Sequence, residues 1–343
     1  MARPIVINAR AAARPELGGV ERWAREMARR LPALRPGAYE VARPRPRLVH
    51  RLGHAWEQAT LPALARRLDA AAILSPANLA PVAWPRNVVV VHDAAALRHP
   101  EWYSGSYVAW QRAVLRPLAQ RALRVITVSR FSRGELVELL GVPEERIDVV
   151  PGGVDERFMP AADAERAARA LGLERPYVLT VGSLIARKNL VALEPAAAAL
   201  RERGIDLVAA GGGRPQLRVE GSAAGVVALG LVDDDLLPGL YAGAKAFVLA
   251  SRYEGFGLTC IEAMASGTPV VAANAGALPE TCGDAALLVD PEDPDAIAET
   301  LTRVVEDATL RRRLAVAGSV RAAELTWDRA ARSVDAVLQR VTA

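Results

Sequence analysis

Residues 246–264, AFVLASRYEGFGLTCIEAM, read as three pieces of structure in a row: a short apolar strand (Ala246–Ser251), a loop punctuated by Gly255 and Gly257, and a helix opening at Leu258. A strand without polar alternation is buried on both faces, which belongs to a parallel sheet covered by helices. In such sheets ligands are held in the loops at the carboxyl ends of the strands. At this helix start the amides of Gly257, Leu258 and Thr259 are free to bind phosphate oxygens. Two carboxylates accompany them, Glu254 in the loop and Glu262 eight residues on, about one turn into the helix. Glu262 is placed to grip a ribose through its vicinal hydroxyls, and Glu254 to meet a sugar or a developing positive charge.

The same strand–loop–helix pattern runs outward in both directions. Around it the strand candidates are Tyr177–Gly182, Asp206–Gly211, Gly225–Gly230, Thr268–Ala273 and Ala286–Val289, with helices after Asn189, Asp233, Leu258 and Asp295. An earlier series comprises Pro4–Ala9, Ala71–Ser75, Asn87–His92, Arg124–Ser129 and Ile147–Pro151, with helices such as Val20–Leu31 and Ser106–Ala122. Between the series, PGGVDERFMPAADAE (151–165) is polar and bears Gly and Pro, as a linker does. A chain of 343 residues suits two domains. The expected fold is α/β, two doubly wound domains facing each other across a cleft: residues 1–160, residues 161–325, and a last helical segment 326–343. No sequence repeat relates the halves.

Composition excludes several classes. With 51% hydrophobic and 24% charged residues, the chain is neither disordered, collagenous nor a disulfide scaffold. Cys260 and Cys282 have no Cys or His at zinc-ligand spacing, and a reducing compartment fits. MARPIVINAR lacks an apolar stretch of signal-peptide length, and no run long enough to span a membrane occurs, so the expected location is cytoplasmic. Residues 1–160 hold 24 Arg and no Lys against 15 Asp and Glu, whereas residues 161–343 carry net negative charge. The basic half suits an anionic surface or substrate; the dominance of Arg over Lys fits a biased genome composition equally well.

Further polar groups stand where strands end. The loop Arg14–Val20 contains Gly18-Gly19 just before a helix, where backbone amides can approach an anion or a sugar, or simply make a tight turn. His92-Asp93 follows the strand NVVVV; His92 can hold a hydroxyl, act on a proton, or merely cap the strand. His99–Tyr103 gathers aromatics and polar groups suited to gripping a sugar or covering a core edge. In YVLTVGSLIARKNL the strand ends at Gly182-Ser183, and Arg187-Lys188 precede a helix; two cations beside free amides make a diphosphate clamp, against the plain alternative of surface charge.

Together these residues resemble the retaining nucleotide-sugar glycosyltransferases often called family 4, with the GT-B fold of two Rossmann-like domains. The resemblance covers nearly the whole chain. It rests on Gly18-Gly19, His92-Asp93, SRFSRGEL followed by PGGVD, Arg187-Lys188-Asn189, and the Glu-x7-Glu spacing of Glu254 and Glu262 in YEGFGLTCIEAMASGTPVVAANAGALPE. It implies that Arg187 and Lys188 neutralise the donor diphosphate, Glu262 holds the ribose, Glu254 contacts the donor sugar, and His92 touches that sugar and orients the acceptor. It also implies a donor site that includes Gly18, Gly19, Gly182, Ser183, Gly257, Leu258 and Thr259, and a last helix, around Trp327, that crosses back to the first domain. The chain departs from the family in three places. Gly182-Ser183 stands for Gly-Arg, removing one basic contact; Thr259 replaces a common Pro; and PGG replaces Asn-Gly before Val154-Asp155.

The implied reaction is transfer of a hexose from a GDP- or UDP-sugar to an acceptor hydroxyl, with no cofactor and no nucleic acid partner, and with peripheral contact to an anionic membrane surface as a further expectation. No side chain is placed as a covalent nucleophile, so front-face attack is preferred. An epimerase or phosphorylase on the same architecture and a non-catalytic nucleotide-sugar-binding subunit are the rival readings. A NAD enzyme is disfavoured because no Gly-x-Gly-x-x-Gly follows the first strand. Asp233-Asp234-Asp235 has the spacing of a divalent-ion site, but its place ahead of a helix suggests capping instead, and no metal is expected.

Overall fold

Residues 3–14, 18–45, 53–183, 185–212 and 223–342 are described by the computed structural model. Pro15, Glu16, Leu17 and Leu184, which belong to loops quoted above, lie outside the described residues. Contacts divide the chain into two compact units. One holds the residues up to Arg98, Ser106–Gly152 and the final helix Trp327–Thr342; the other holds His99–Gly105 and Gly153–Thr326.

In the first unit six strands, β1 (Ile5–Asn8), β2 (Tyr39–Ala42), β3 (Ala72–Ser75), β4 (Asn87–Val90), β5 (Arg124–Thr127) and β6 (Ile147–Val149), form a sheet in the order β2-β1-β3-β4-β5-β6. Every neighbouring pair is parallel. The second unit has β7 (Tyr177–Val181), β8 (Asp206–Ala210), β9 (Val226–Gly230), β10 (Ala246–Leu249), β11 (Val270–Ala273) and β12 (Ala286–Val289), in the order β12-β11-β10-β7-β8-β9, again all parallel.

Strand periodicity explains the burial. Leu179, Val208, Phe247 and Val270 pack into one apolar cluster, and their chain neighbours Val178, Leu207, Val248 and Val271 into another. Alternate side chains therefore enter cores on opposite faces, and both faces are covered, which is why these strands carry no polar alternation.

Seven strands stop one or two residues before the stretches read from the sequence do, leaving His92, Ser129, Gly182, Gly211 and Ser251 in loops past the strand ends, while β3, β9, β11 and β12 end at the residues read. Strand β2 was not expected from sequence. It is a four-residue edge strand, YEVA, with Glu40 exposed, so it carries no apolar run to mark it. The long helical tail is three helices, Pro294–Glu306, Ala308–Glu324 and Trp327–Thr342. Asp307 separates the first two, its Oδ1 accepting from the amides of Thr309 and Leu310, both at 2.9 Å. The final helix is tied into the first unit by Asp335, which accepts from Arg35 (2.8 Å) and from the Tyr39 hydroxyl (2.5 Å). Among the described residues no helix is long and apolar enough to cross a membrane.

Candidate active site

In the second unit the loop after β10 is held by close backbone approaches. Gly276 has φ +58°, and a Cβ there would lie 2.7 Å from the backbone N and O of Glu254. Next to it, the Ala277 amide donates to the Glu254 carbonyl at 2.9 Å. Gly257 precedes the helix Leu258–Ala265 with φ +105°, and a Cβ there would meet Leu278 at 2.6 Å. Only glycine fits both positions, so the Gly pattern read from the sequence reflects packing as well as access for a ligand.

Glu254 is almost fully buried and is gripped by both cations of the Arg187-Lys188 pair. Lys188 Nζ donates to Oε1 at 2.6 Å, and Arg187 Nη1 donates to Oε2 at 3.1 Å and to the Tyr253 carbonyl at 2.7 Å. Burial by itself would raise the Glu254 carboxyl; the charges of Arg187 and Lys188 outweigh it and hold the pKa at about 2. The cations sit on a short turn, Ala186–Lys188, whose exit needs a left-handed residue. Asn189 supplies it, with φ +57° and its side chain donating to the Pro291 carbonyl at 2.7 Å.

Gly182 plays a steric part. Its amide is committed to the Ala210 carbonyl at 2.9 Å, and a Cβ at this position would lie 2.9 Å from Lys188 Cε, so its bare backbone lets the Lys188 side chain pass. Ser183 follows it in the loop, its carbonyl accepting from the Ile185 amide at 3.0 Å.

On the helix, Glu262 is buried, and its Oε2 accepts from the Tyr241 hydroxyl at 3.0 Å. The Thr259 hydroxyl is buried with no hydrogen-bond partner among the described residues. Gly257, Leu258 and Thr259 form the helix start, where amides lack intrahelical acceptors. Cys260 and Cys282 are free, buried thiols; the hydrogen bond that the Cys260 thiol makes to Cys282 and burial together push Cys260 well up. The segment His99–Tyr103 groups with this unit. His99 stacks on Trp102 with centroids 4.0 Å apart and meets the Tyr253 ring edge-on at 5.8 Å, beside Glu254 in the chain.

In the first unit, His92 follows β4 and is 7% exposed. Its amide donates to Asn78 Oδ1 (2.8 Å), its carbonyl accepts from Ser132 Oγ (3.0 Å), and Nε2 lies 2.9 Å from the Pro76 carbonyl. Burial holds its pKa below 6.5. Trp23 packs edge-on against its ring at 5.7 Å. Gly18 and Gly19 open the helix Gly19–Leu34, but the Gly18 amide donates to Glu21 Oε2 at 3.2 Å, so an internal carboxylate already takes the donor expected to face an anion.

The Asp233–Asp235 triplet does not cap a helix by its side chains. It lies in a turn, Leu236 N donating to the Asp233 carbonyl at 2.9 Å, and the helix begins only at Leu237, with Pro238 in its first turn. Asp234 instead pairs with Arg157, whose Nη1 also donates to the Asp234 carbonyl at 2.9 Å. Sequence reasoning missed Tyr241, Asn78 and Ser132 as partners of Glu262 and His92. Only Ser132, within SRFSRGEL, stood in a stretch already marked out.

Two Rossmann-like units of parallel strands and helices, one carrying a loop carboxylate locked to two cations at a helix start, give the chain a GT-B fold. Residues 175–307 match the family described as Glycosyl transferases group 1, and residues 17–158 match Glycosyltransferase Family 4. The chain belongs to this family. It is 33% identical over 256 residues to the O-antigen chain mannosyltransferase B of Escherichia coli, across 71% of this chain and 67% of that enzyme. It spans 60%, 58% and 56% of three further curated relatives. A sucrose-phosphate synthase from Thermosynechococcus elongatus superposes with a TM-score of 0.78 at 21% identity, over 99% of both chains. An Anabaena protein solved with UDP and glucose gives a TM-score of 0.73 at 20% identity, over 99% of this chain and 100% of that one.

Proposed function

We propose that this chain is a retaining hexosyltransferase that moves a hexose from a nucleoside diphosphate sugar to an acceptor hydroxyl without a metal ion. The observation that carries the reading is the Arg187–Glu254–Lys188 cluster beside the start of the helix Leu258–Ala265. Two cations and one carboxylate leave net positive charge next to unpaired helix-start amides. That arrangement favours a diphosphate, and it favours it most as the leaving group gains charge in the transition state. Glu262, fixed by Tyr241, is the ribose ligand in this reading, and Glu254 lies where its carboxylate can turn from the cations to the sugar. His92 serves the sugar hydroxyls and the acceptor. Front-face attack, with the departing phosphate taking the acceptor proton, needs no protein nucleophile.

A relative named as a GDP-mannose-dependent mannosyltransferase and the neighbour solved with UDP and glucose support GDP- and UDP-sugars as the first donors to try. Thermal shift over GDP-, UDP-, dTDP- and ADP-sugars in metal-free buffer tests the reading, because a ligand at 100 times its dissociation constant adds about 2.7 kcal/mol. One donor class should raise Tm clearly; none doing so contradicts the proposal. The arginine-rich first half is proposed to meet an anionic membrane surface. Salt-sensitive sedimentation with anionic liposomes should follow, and its absence removes that partner.

A further inference from the structure

The SRFSRGEL segment (129–136) carries part of the family resemblance but has no part in the chemistry above. In the structure it is the start of a helix, Arg130–Leu140, whose first turn faces the loop after β4. Ser129 caps that helix, its Oγ accepting from the Ser132 amide at 2.9 Å. Three residues on, fully buried Ser132 donates its hydroxyl to the His92 carbonyl at 3.0 Å. Three further on, Glu135 takes both Nε (3.1 Å) and Nη2 (2.7 Å) of Arg98. Residues three apart share a helix face, so one face of this helix grips the chain at both ends of the stretch from His92 to Arg98.

A second anchor comes from the opposite side. Asn78 has φ +58°, its amide donates to the Val90 carbonyl at 2.9 Å, and its Oδ1 accepts from the His92 amide at 2.8 Å. With the backbone fixed at both N and O, the ring is fixed too. Nε2 faces the Pro76 carbonyl at 2.9 Å. A carbonyl can only accept, so Nε2 carries a hydrogen, and in the neutral ring Nδ1 then keeps the lone pair. Nδ1 has no hydrogen-bond partner among the described residues.

We propose that Ser132 and Asn78 are positioning residues that hold His92 as a neutral imidazole protonated on Nε2, so that His92 works as a hydrogen-bond acceptor for a substrate hydroxyl and not as a proton donor. The groups that face the ring fit this. Trp23 offers its ring edge-on, Ser132 is uncharged, and the nearby carboxylates are Glu21, bound to the Gly18 amide, and Asp93, whose Oδ1 accepts from the Ala95 amide at 3.1 Å. The charges of both carboxylates favour the protonated ring, but neither hydrogen-bonds to it and burial outweighs them.

The substrate role rests on the proposed function; the ring state does not, and the test separates them. Long-range ¹H–¹⁵N spectra of the labelled full chain, which has four histidines, give each ring's tautomer, with His92→Gln identifying the signal. The expected His92 is neutral and protonated on Nε2 at pH 7. An imidazolium, or a ring protonated on Nδ1, overturns the proposal whatever the enzyme transfers. Ser132→Ala should broaden or mix the tautomers and lower turnover about tenfold with unchanged nucleoside diphosphate affinity, and Ser132→Thr should restore both. Unchanged spectra and turnover in a folded Ser132→Ala variant contradict the positioning role. Should that variant not fold, Asn78→Ala, which removes the uncharged acceptor of the His92 amide, makes the same comparison: it should mix the tautomers, and an unchanged ring contradicts the positioning role. If the wild type transfers no sugar at all while the ring state is as stated, the functional reading fails and the ring assignment stands.

Discussion

The loops after β10 and β4 leave buried parallel strands in the same way but handle their polar groups by opposite means. Glu254 is kept ionised by two cations that arrive from a single turn, Arg187-Lys188. His92 is kept neutral by burial and held by uncharged partners: the Asn78 side chain, the Ser132 hydroxyl and the Pro76 carbonyl. The first loop is built around charge and suits a diphosphate. The second is built around directional hydrogen bonds and suits hydroxyls. A site assembled from ion pairs should respond to substitutions through affinity and leaving-group charge; one assembled from neutral hydrogen bonds should respond through geometry.

The largest expected effect lies in the charged loop. Lys188→Ala should lower turnover by about a hundredfold or more, since its charge is needed most in the transition state, and should also lower Tm, since buried Glu254 is left with one cation. Near-normal turnover in a folded variant breaks the charged half of the comparison.

His92→Ala should come next, with transfer falling about tenfold to a hundredfold while nucleoside diphosphate affinity is unchanged. A pH experiment sharpens this. Because burial lowers the His92 pKa below its ordinary 6.5, the unfolded state binds the proton more readily. The His92 contribution to stability is therefore fully present above about pH 6.5 and is lost as pH falls through the lower folded value. Denaturation followed from pH 8 to pH 4 should show that loss in the wild type and not in His92→Gln. An identical pH dependence in both proteins would mean that His92 is not held neutral by the fold.

Glu254→Gln should give a smaller effect, of mixed sign. Removing the carboxylate takes away the counter-charge of Arg187 and Lys188, so nucleoside diphosphate should bind on the order of threefold to tenfold more tightly while transfer falls. Unchanged affinity would show that Glu254 does not compete with the ligand for the two cations. Acid titration bears on the same group. With its pKa lowered from 4.5 to about 2, the stability that Glu254 contributes is present above pH 4.5 and is lost as pH falls towards 2.

The smallest effect belongs to the acidic triplet. Asp234→Ala loses a partly exposed pair with Arg157, worth at most about 1 kcal/mol by denaturant unfolding, and EDTA should leave transfer unchanged. If EDTA abolishes transfer and Mn²⁺ restores it, the charge balance assigned to Lys188 has to be abandoned.

How far the sequence could be read follows the same division. Glu254, Glu262, Arg187 and Lys188 were legible because each lies within a few residues of a strand end or a helix start, and local period locates both. The parallel sheets were legible from apolar runs, except β2, an edge strand with a solvated Glu40 and therefore no such run. What holds His92 was not legible: Asn78 lies 14 residues before it and Ser132 40 residues after it, and no periodicity links a hydroxyl to a carbonyl that far away. Tyr241, 21 residues before Glu262, was hidden for the same reason. The Asp triplet misled because its charge pattern was visible while Arg157, 77 residues before Asp234, was not.

Calorimetry with GDP and with UDP in metal-free buffer, on the wild type and on Glu262→Ala, tests most directly whether the loop after β10 is the nucleoside diphosphate site. Glu262 lies on the helix that starts at this loop and accepts from Tyr241, so as the proposed ribose ligand it can be removed without touching the two cations. The account predicts that one of the two nucleotides binds the wild type without metal, and that Glu262→Ala, folded but with a lower Tm because the buried Tyr241 hydroxyl loses this acceptor, weakens it by about tenfold or more. Equal affinity in the folded variant, or no binding of either nucleotide to the wild type, would contradict it.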